Sequence, residues 1–306
     1  MSRIFVAGSF NVDITCYAPR IPRHGETVPG TSANISSGGK GFNQATAAAH
    51  AGSVVVMLSK IGDDPLSNIA LGCFEKEGVS TRLLSVVKGV NTGCAFIEVE
   101  EATAENRIVI VSGANALVQR EDVENAKDEI AASDYALTQL ETSLESVTAL
   151  ADTCRALGKP LILNPAPAKP LPDSLFEFVS IFTPNETEAE FYTGVKIETD
   201  QDAERAADVL LKKGVKCAII TLGIKGVFYK TACESGIIHA PKVKAVDTTG
   251  AGDAFNGALA SRLASGENLI DAMKFACAFA SLSVTKKGAA DSMPSLKEVT
   301  EFLETL

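Results

Sequence analysis

Short apolar runs, each separated from the next by a stretch of helical character, constrain the fold of this chain more than any other feature. Ile4–Ala7, Val54–Ser59, Tyr135–Leu140, Leu161–Leu163, Ile181–Phe182 and Ala218–Thr221 read as buried strands. Between them lie helix candidates at Phe42–Ala51, Leu66–Glu77, Val123–Ala131, Ser146–Ala156, Thr187–Thr193 and Ala203–Lys213. Parallel strands need long crossovers, so this alternation predicts a three-layer α/β/α architecture with a mainly parallel central sheet. Helices dominate the end, at about Asp253–Ala264, Leu269–Val284 and Leu296–Leu303, with a short strand-like segment, Val243–Val246, before them.

Two stretches break the rhythm, at 14–37 and 90–112. Both are rich in Thr, Val, Ile and Gly with turn residues, which reads as antiparallel strands. A small β-sheet assembled from both would sit over the main sheet as a lid. With no linker or repeat in view, residues 1–306 are expected to form one α/β domain.

Bulk properties narrow the function. The 28 Lys and Arg against 38 Asp and Glu leave a formal net charge of −10 and no basic stripe, so a nucleic-acid partner is not expected. ATP remains possible, because phosphate is held by local amides and a few cations. The seven cysteines are scattered, without the short pairs that zinc or dithiol chemistry uses. The first residues lack the apolar core of a signal peptide, and Ala272–Val284 is too short to span a bilayer. The expectation is a cytoplasmic protein without a membrane partner.

Polar residues follow several predicted strands: Glu141, Asn164, Asn185 and Gly223. In open α/β sheets ligands bind beyond the carboxyl ends of strands, where these would gather; capping of the next helix explains each one equally well. Gly38-Gly39-Lys40-Gly41-Phe42-Asn43-Gln44-Ala45 opens a helix of small residues, and both a flexible turn and a binding site account for it. It is not a Walker A loop, since Gly41 stands where Ser or Thr is required. Asn185 and Glu188 have the spacing of a capping box, and alternatively of a nucleotide and Mg²⁺ contact. The strongest signal is Asp247-Thr248-Thr249-Gly250-Ala251-Gly252-Asp253 at a helix start. Amides of Gly250, Ala251 and Gly252 there make an anion site, and a carboxylate at Asp253 could accept a proton from an attacking hydroxyl. The third glycine of a dinucleotide fingerprint is missing.

Taken together, Gly8 to Asp13, Gly38 to Ala45, Glu141, Asn164 to Pro167, Asn185 to Glu188 and Asp247 to Asp253 occur in the order and spacing of the ribokinases, and the chain resembles that family from near residue 4 to its C-terminus. The resemblance implies an ATP-dependent kinase acting on the primary hydroxyl of a small furanose, ribose first, with 2-deoxyribose, fructose or a nucleoside as alternatives. A non-catalytic sugar-binding protein is the alternative of another class. It implies a sugar site of Asn11, Asp13, Gly38, Gly39, Lys40, Gly41, Asn43 and Glu141, with Asp253 as base and Gly250, Ala251 and Gly252 as anion hole. Asn185, Glu188, Thr221, Gly223, Gly226 and Gly252 would line the ATP and Mg²⁺ side, with Cys277 near the adenine. A potassium ion is implied beside the anion hole, held by Asp247, Thr249 and mostly backbone oxygens around Ser283, Lys286, Gly288 and Ser292. A homodimer through the lid strands is implied as well. Phe42 is larger than the residue this family carries between Gly41 and Asn43.

Overall fold

The computed structural model describes residues 1–103 and 105–306; Ala104, within the second lid stretch, lies outside the described residues. The chain begins with β1 (Arg3–Ala7), β2 (Asn11–Ala18), β3 (Ser32–Gly38), α1 (Lys40–His50), β4 (Val54–Gly62), α2 (Leu66–Lys76), β5 (Ser80–Val87), β6 (Cys94–Glu100) and β7 (Asn106–Val111). It continues through α3 (Arg120–Asn125), α4 (Lys127–Ala131), β8 (Tyr135–Thr138), α5 (Leu144–Leu157), β9 (Leu161–Leu163), α6 (Asp173–Phe176), β10 (Ile181–Phe182), α7 (Glu186–Thr193) and α8 (Asp200–Lys212). The last part holds β11 (Cys217–Thr221), β12 (Val227–Thr231), β13 (Ser235–Ile238), α9 (Ala251–Ala264), α10 (Leu269–Ser283) and α11 (Leu296–Leu303).

The predicted layers are present. A nine-stranded sheet runs β13-β12-β11-β10-β9-β8-β1-β4-β5, parallel from β11 to β5, with β12 and β13 antiparallel at one edge. Alternation along β1 explains the third layer: successive side chains point to opposite faces. Ile4 and Val6 pack in a core with α1, α9 and α10, whereas Phe5 and Ala7 belong to the opposite core with α3, α5 and α8. The chain winds from β1 to β4 and β5 on one side, then from β8 to β11 on the other. The switch point therefore lies between β1 and β8, and the loops after those two strands open onto the crevice where ligands bind in such sheets.

The stretches 14–37 and 90–112 form a separate four-stranded sheet, β3-β2-β6-β7. Each contributes an antiparallel pair, but β2 and β6, which join the pairs, run parallel, unlike the antiparallel sheet expected. Three other expectations change. Val243–Val246 is not a strand: Val246 is exposed, and its amide donates to Val284 O at 2.7 Å instead of to a sheet neighbour. The helix expected over 123–131 starts earlier and divides at Ala126, whose φ of −90° and ψ of 6° leave the helical range. β8 stops at Thr138, because the Leu140 amide turns away to Ala166 O. The edge strands β5 and β13 carry no clear sequence signal, since an edge needs only one partner and half its surface stays open. Among the described residues no helix is long and apolar enough to cross a membrane.

Candidate active site

The chain reaches α9 through Gly250, whose φ of 75° is left-handed and suits glycine. This turn aims the first amides of α9 into a cleft of about 170 Å³, lined by Gly250, Ala251, Gly252 and Asp253 on one side. A Cβ added to Gly252 would meet no atom within 4 Å, so packing does not demand glycine there. What its absence leaves open is backbone approach from the cleft. The amides and the helix dipole make that wall attractive to an anion.

Asp253 is buried, and both its oxygens are occupied. Asn43 Nδ2 donates to Oδ2 and Gln44 Nε2 to Oδ1, each at 2.9 Å. The donors are consecutive residues at the start of α1, and Gly257 brings α1 against α9: a Cβ there would lie 2.3 Å from Gln44 O. Gln44 Nε2 also donates to Asn164 Oδ1 at 3.1 Å, and Gln44 Oε1 accepts from Gln139 Nε2 at 2.6 Å. Asn164 Nδ2 reaches Thr183 O, Thr183 Oγ1 reaches Asn256 Oδ1, and Asn256 Nδ2 returns to Gly252 O. The network joins the ends of β8, β9 and β10 and the start of α1 to the start of α9. Leaving one buried member unpaired costs on the order of 1–3 kcal/mol, so the amides hold one another in place.

Beside this lies a second polar group, built on the loops after β1 and β8. Glu141 Oε2 accepts from Ser9 Oγ at 2.5 Å and from the Lys40 amide at 3.0 Å. The Lys40 side chain lines the cleft, and the negative charge of Asp253, then those of Glu141 and Glu188, pushes its pKa up against the effect of burial. Asp13 pairs with Ser36 across β2 and β3, and its carboxylate lies beside Gly38, where a Cβ would be 2.3 Å from Oδ2; burial, then the charge of Glu141, pushes its carboxyl up to about 6. Neither oxygen of Asp13 has a hydrogen bond from the chain among the described residues. Phe42 does not crowd this group. Its ring is buried in the core against Phe10 and Phe74, at centroid distances of 5.1 and 4.9 Å.

The cleft is also lined by Asn185, Glu188 and Thr221. Asn185 and Glu188 do form the capping box, through Glu188 N to Asn185 Oδ1 and Asn185 N to Glu188 Oε2. Both expectations for the pair are thus compatible, since Glu188 caps α7 and faces the cleft at once. Burial raises its pKa, with the charge of Asp253 adding to the effect. Below the glycine turn, Asp247 accepts from the amides of Thr249 at 3.0 Å and Gly288 at 2.9 Å, and Ala289 backs Gly250. Burial opposes charge on Asp247, but these amides and Lys287 outweigh it and hold the carboxyl below its usual range. The segment carrying Ser283, Lys286, Gly288 and Ser292 therefore lies directly beneath the anion wall.

Residues 1–296 match the family described as pfkB family carbohydrate kinase. The chain belongs to this family. It is 43% identical over 299 residues to a ribokinase of Haemophilus influenzae, covering 98% of this chain and 97% of that one. It is 38% identical over 301 residues to a deoxyribokinase of Salmonella typhi, covering 98% of each. Among solved structures, the Arabidopsis thaliana ribokinase complexed with ribose and ATP has a TM-score of 0.94 at 32% identity, covering 99% of both chains.

In this carbohydrate kinase the cleft collects Lys40, Asn185, Glu188, Thr221, Gly250, Ala251, Gly252 and Asp253 from distant parts of the sequence. Asn43 joins them through Asp253, and Glu141 through the Lys40 amide. Asn11, Asp13, Gly38, Gly39 and Gly41 lie beside it, at the junction with the small sheet. Gly223, Gly226 and Cys277 do not line the cleft: a Cβ at Gly226 would lie 2.0 Å from Ile238 O, and Cys277 is buried in the apolar core of α10. Ser9, Gln44, Thr183 and Asn256 are absent from the sequence expectations. Nothing in local periodicity marks them, although Ser9 falls inside the Gly8 to Asp13 motif and Gln44 inside the Gly38 to Ala45 motif.

Proposed function

We propose that this pfkB-family kinase transfers the γ-phosphoryl of MgATP to the primary (O5) hydroxyl of D-ribose, giving ribose 5-phosphate. The observation that carries the reading is that Asp253 and the amides of Gly250 to Gly252 share one wall of one cleft, so a proton acceptor and an anion hole face the same reacting atoms. The hydroxyl gives its proton to Asp253 as its oxygen bonds to the γ-phosphorus. The bond from that phosphorus to the bridging oxygen breaks, and ADP leaves. Charge on the transferring group is met by the three amides and by Lys40, so positioning and electrostatics carry the catalysis.

Asn11, Asp13, Gly38, Gly39, Lys40, Gly41, Asn43 and Glu141 are assigned to the sugar. The unpaired carboxylate of Asp13 supports this, being a half-buried acceptor with hydroxyls as natural partners. Asn185, Glu188 and Thr221 in the cleft are assigned to the ATP side, with Gly223, Gly226 and Cys277 outside its lining, where the nucleotide would extend beyond it. Glu188 has one oxygen uncommitted by its capping box and fits a water-mediated contact with Mg²⁺, which would neutralise phosphate charge. Among the described residues no group of three or more His, Cys, Asp or Glu could hold a metal. Asp247, Thr249, Ser283, Lys286, Gly288 and Ser292 fit a potassium ion, whose charge would steady the turn above it.

The four-stranded sheet is assigned the role of lid and dimer contact. Ile35, Phe96, Val109 and Val111 are exposed apolar residues on one face of it and Ile108 and Ile110 on the other, and exposed apolar surface of this kind supports a contact with a second copy. Seven free cysteines fit a reducing compartment, which supports the cytoplasm. The likeness to a deoxyribokinase makes 2-deoxyribose the second reading. ADP release across ribose, 2-deoxyribose, fructose and nucleosides tests both. Ribose is expected to give the highest kcat/KM; a preference for 2-deoxyribose replaces the first reading with the second, and no turnover of any sugar overturns both.

A further inference from the structure

Asn115 stands in the turn after β7, is buried, and carries no role in the reaction as derived above. Its side chain pairs with the backbone between the two sheets. Phe10 N donates to Asn115 Oδ1, and Asn115 Nδ2 donates to Phe10 O, both at 2.9 Å. A backbone amide can only donate and a carbonyl only accept, so this pairing fixes which way the Asn115 amide points. The second hydrogen of Nδ2 then goes to Asn11 Oδ1 at 2.8 Å. Gly93 makes room for that contact, because a Cβ there would lie 2.1 Å from Asn115 Nδ2 and 2.4 Å from Asn11 Oδ1. With Oδ1 of Asn11 taken, its Nδ2 is the group left over, and it has no partner among the described residues.

We infer that Asn115 is a positioning residue for sugar selection: it locks the Asn11 amide so that a hydrogen-bond donor, not an acceptor, faces the substrate. Asp13 beside it on β2 supplies acceptors. The site thus offers a fixed donor and a fixed acceptor, a pattern that suits adjacent hydroxyls, of which one accepts and one donates. The inference rests on the sugar-kinase reading and deepens it. Without Asn115 the Asn11 amide can rotate, and half its orientations present the wrong atom.

The test is a double-mutant cycle in the full-length enzyme with Asn11→Ala, Asn115→Asp and both, reading KM for ribose, KM for ATP and kcat. Aspartate keeps an acceptor for Phe10 N but cannot donate to Asn11. Asn115→Asp is expected to raise the KM for ribose about tenfold with the KM for ATP changed less than about twofold. In the Asn11→Ala background the same change is expected to add less than about twofold. Equal rises in both backgrounds, an equal rise in the KM for ATP, or no rise would overturn the positioning role. If the aspartate variant does not fold, Asn115→Ser goes through the same cycle and is read the same way. A wild type that phosphorylates no sugar fails the reading beneath; an active wild type with additive effects fails this inference alone.

Discussion

Gln44 Nε2 and Asp253 Oδ1 are 2.9 Å apart although 209 residues separate them in the chain. This bond, with the matching one from Asn43 Nδ2, means that the proposed base is held by two side-chain amides before any sugar arrives. A hydroxyl approaching Asp253 must find a lone pair left free by that pair of donors. The orientation of the carboxylate is set in advance, which is the preorganisation that phosphoryl transfer needs.

Asp253→Asn is expected to lower kcat about 10²–10⁴-fold, because an amide cannot take the hydroxyl proton. The structure adds a cost, since the new NH₂ would oppose Asn43 Nδ2 or Gln44 Nε2. Melting temperature should fall moderately while ATP still binds. Single-turnover rates and calorimetry on one preparation check this, and a loss of kcat below about tenfold would exclude Asp253 as the base.

Gln44→Glu should set a second carboxylate against Asp253. Like charges sharing a site push one pKa up, so the acidic limb of the kcat/KM profile should move upward by about one pH unit or more. A profile that is lower but unshifted would show that Gln44 acts only in packing.

Asp13 gives a pH dependence whose sign follows from its raised value of about 6. Between the ordinary carboxyl value of 3.8 and about 6 the folded state holds a proton that the unfolded chain has lost. Stability therefore falls as pH rises through that window, by on the order of 3 kcal/mol in all. Asp13→Asn should raise the melting temperature near pH 7.5, with the gain shrinking toward pH 4. The same variant should weaken ribose binding and remove the rise in its KM expected below about pH 6. Identical melting curves at both pH values would contradict the assignment.

Potassium should raise turnover above that in tetramethylammonium at constant Mg²⁺, and Asp247→Ala should abolish the difference. The carboxylate ties the glycine turn to Gly288, so its loss slackens the anion wall as well. Equal wild-type rates in the two salts would remove potassium from the proposal.

Ile110→Asp, placed on the exposed β7, should turn a dimer into a monomer in sedimentation and raise the KM for the sugar. A wild type that sediments as a monomer at micromolar concentration would rule out the dimer contact.

Much of this molecule is written locally. The period of apolar residues marks the strands and helices of the main sheet, because burial on both faces requires it. The Gly250 to Asp253 turn and the Asn185 to Glu188 capping box are legible because a helix start needs particular residues within a few positions. What the amino-acid order leaves open is which distant residues meet. The partners of Asp253 depend on α1 packing against α9, and the direction of the Asn11 amide depends on Asn115, 104 residues away. Phe42 makes the same point: its size conflicts with the family pattern in sequence, yet the ring turns into the core beside Phe10 and Phe74. Side-chain periodicity fixes which way a residue faces, whereas the winding of the sheet decides what stands opposite it. The first is a property of neighbouring residues, and the second exists only once the whole core has packed.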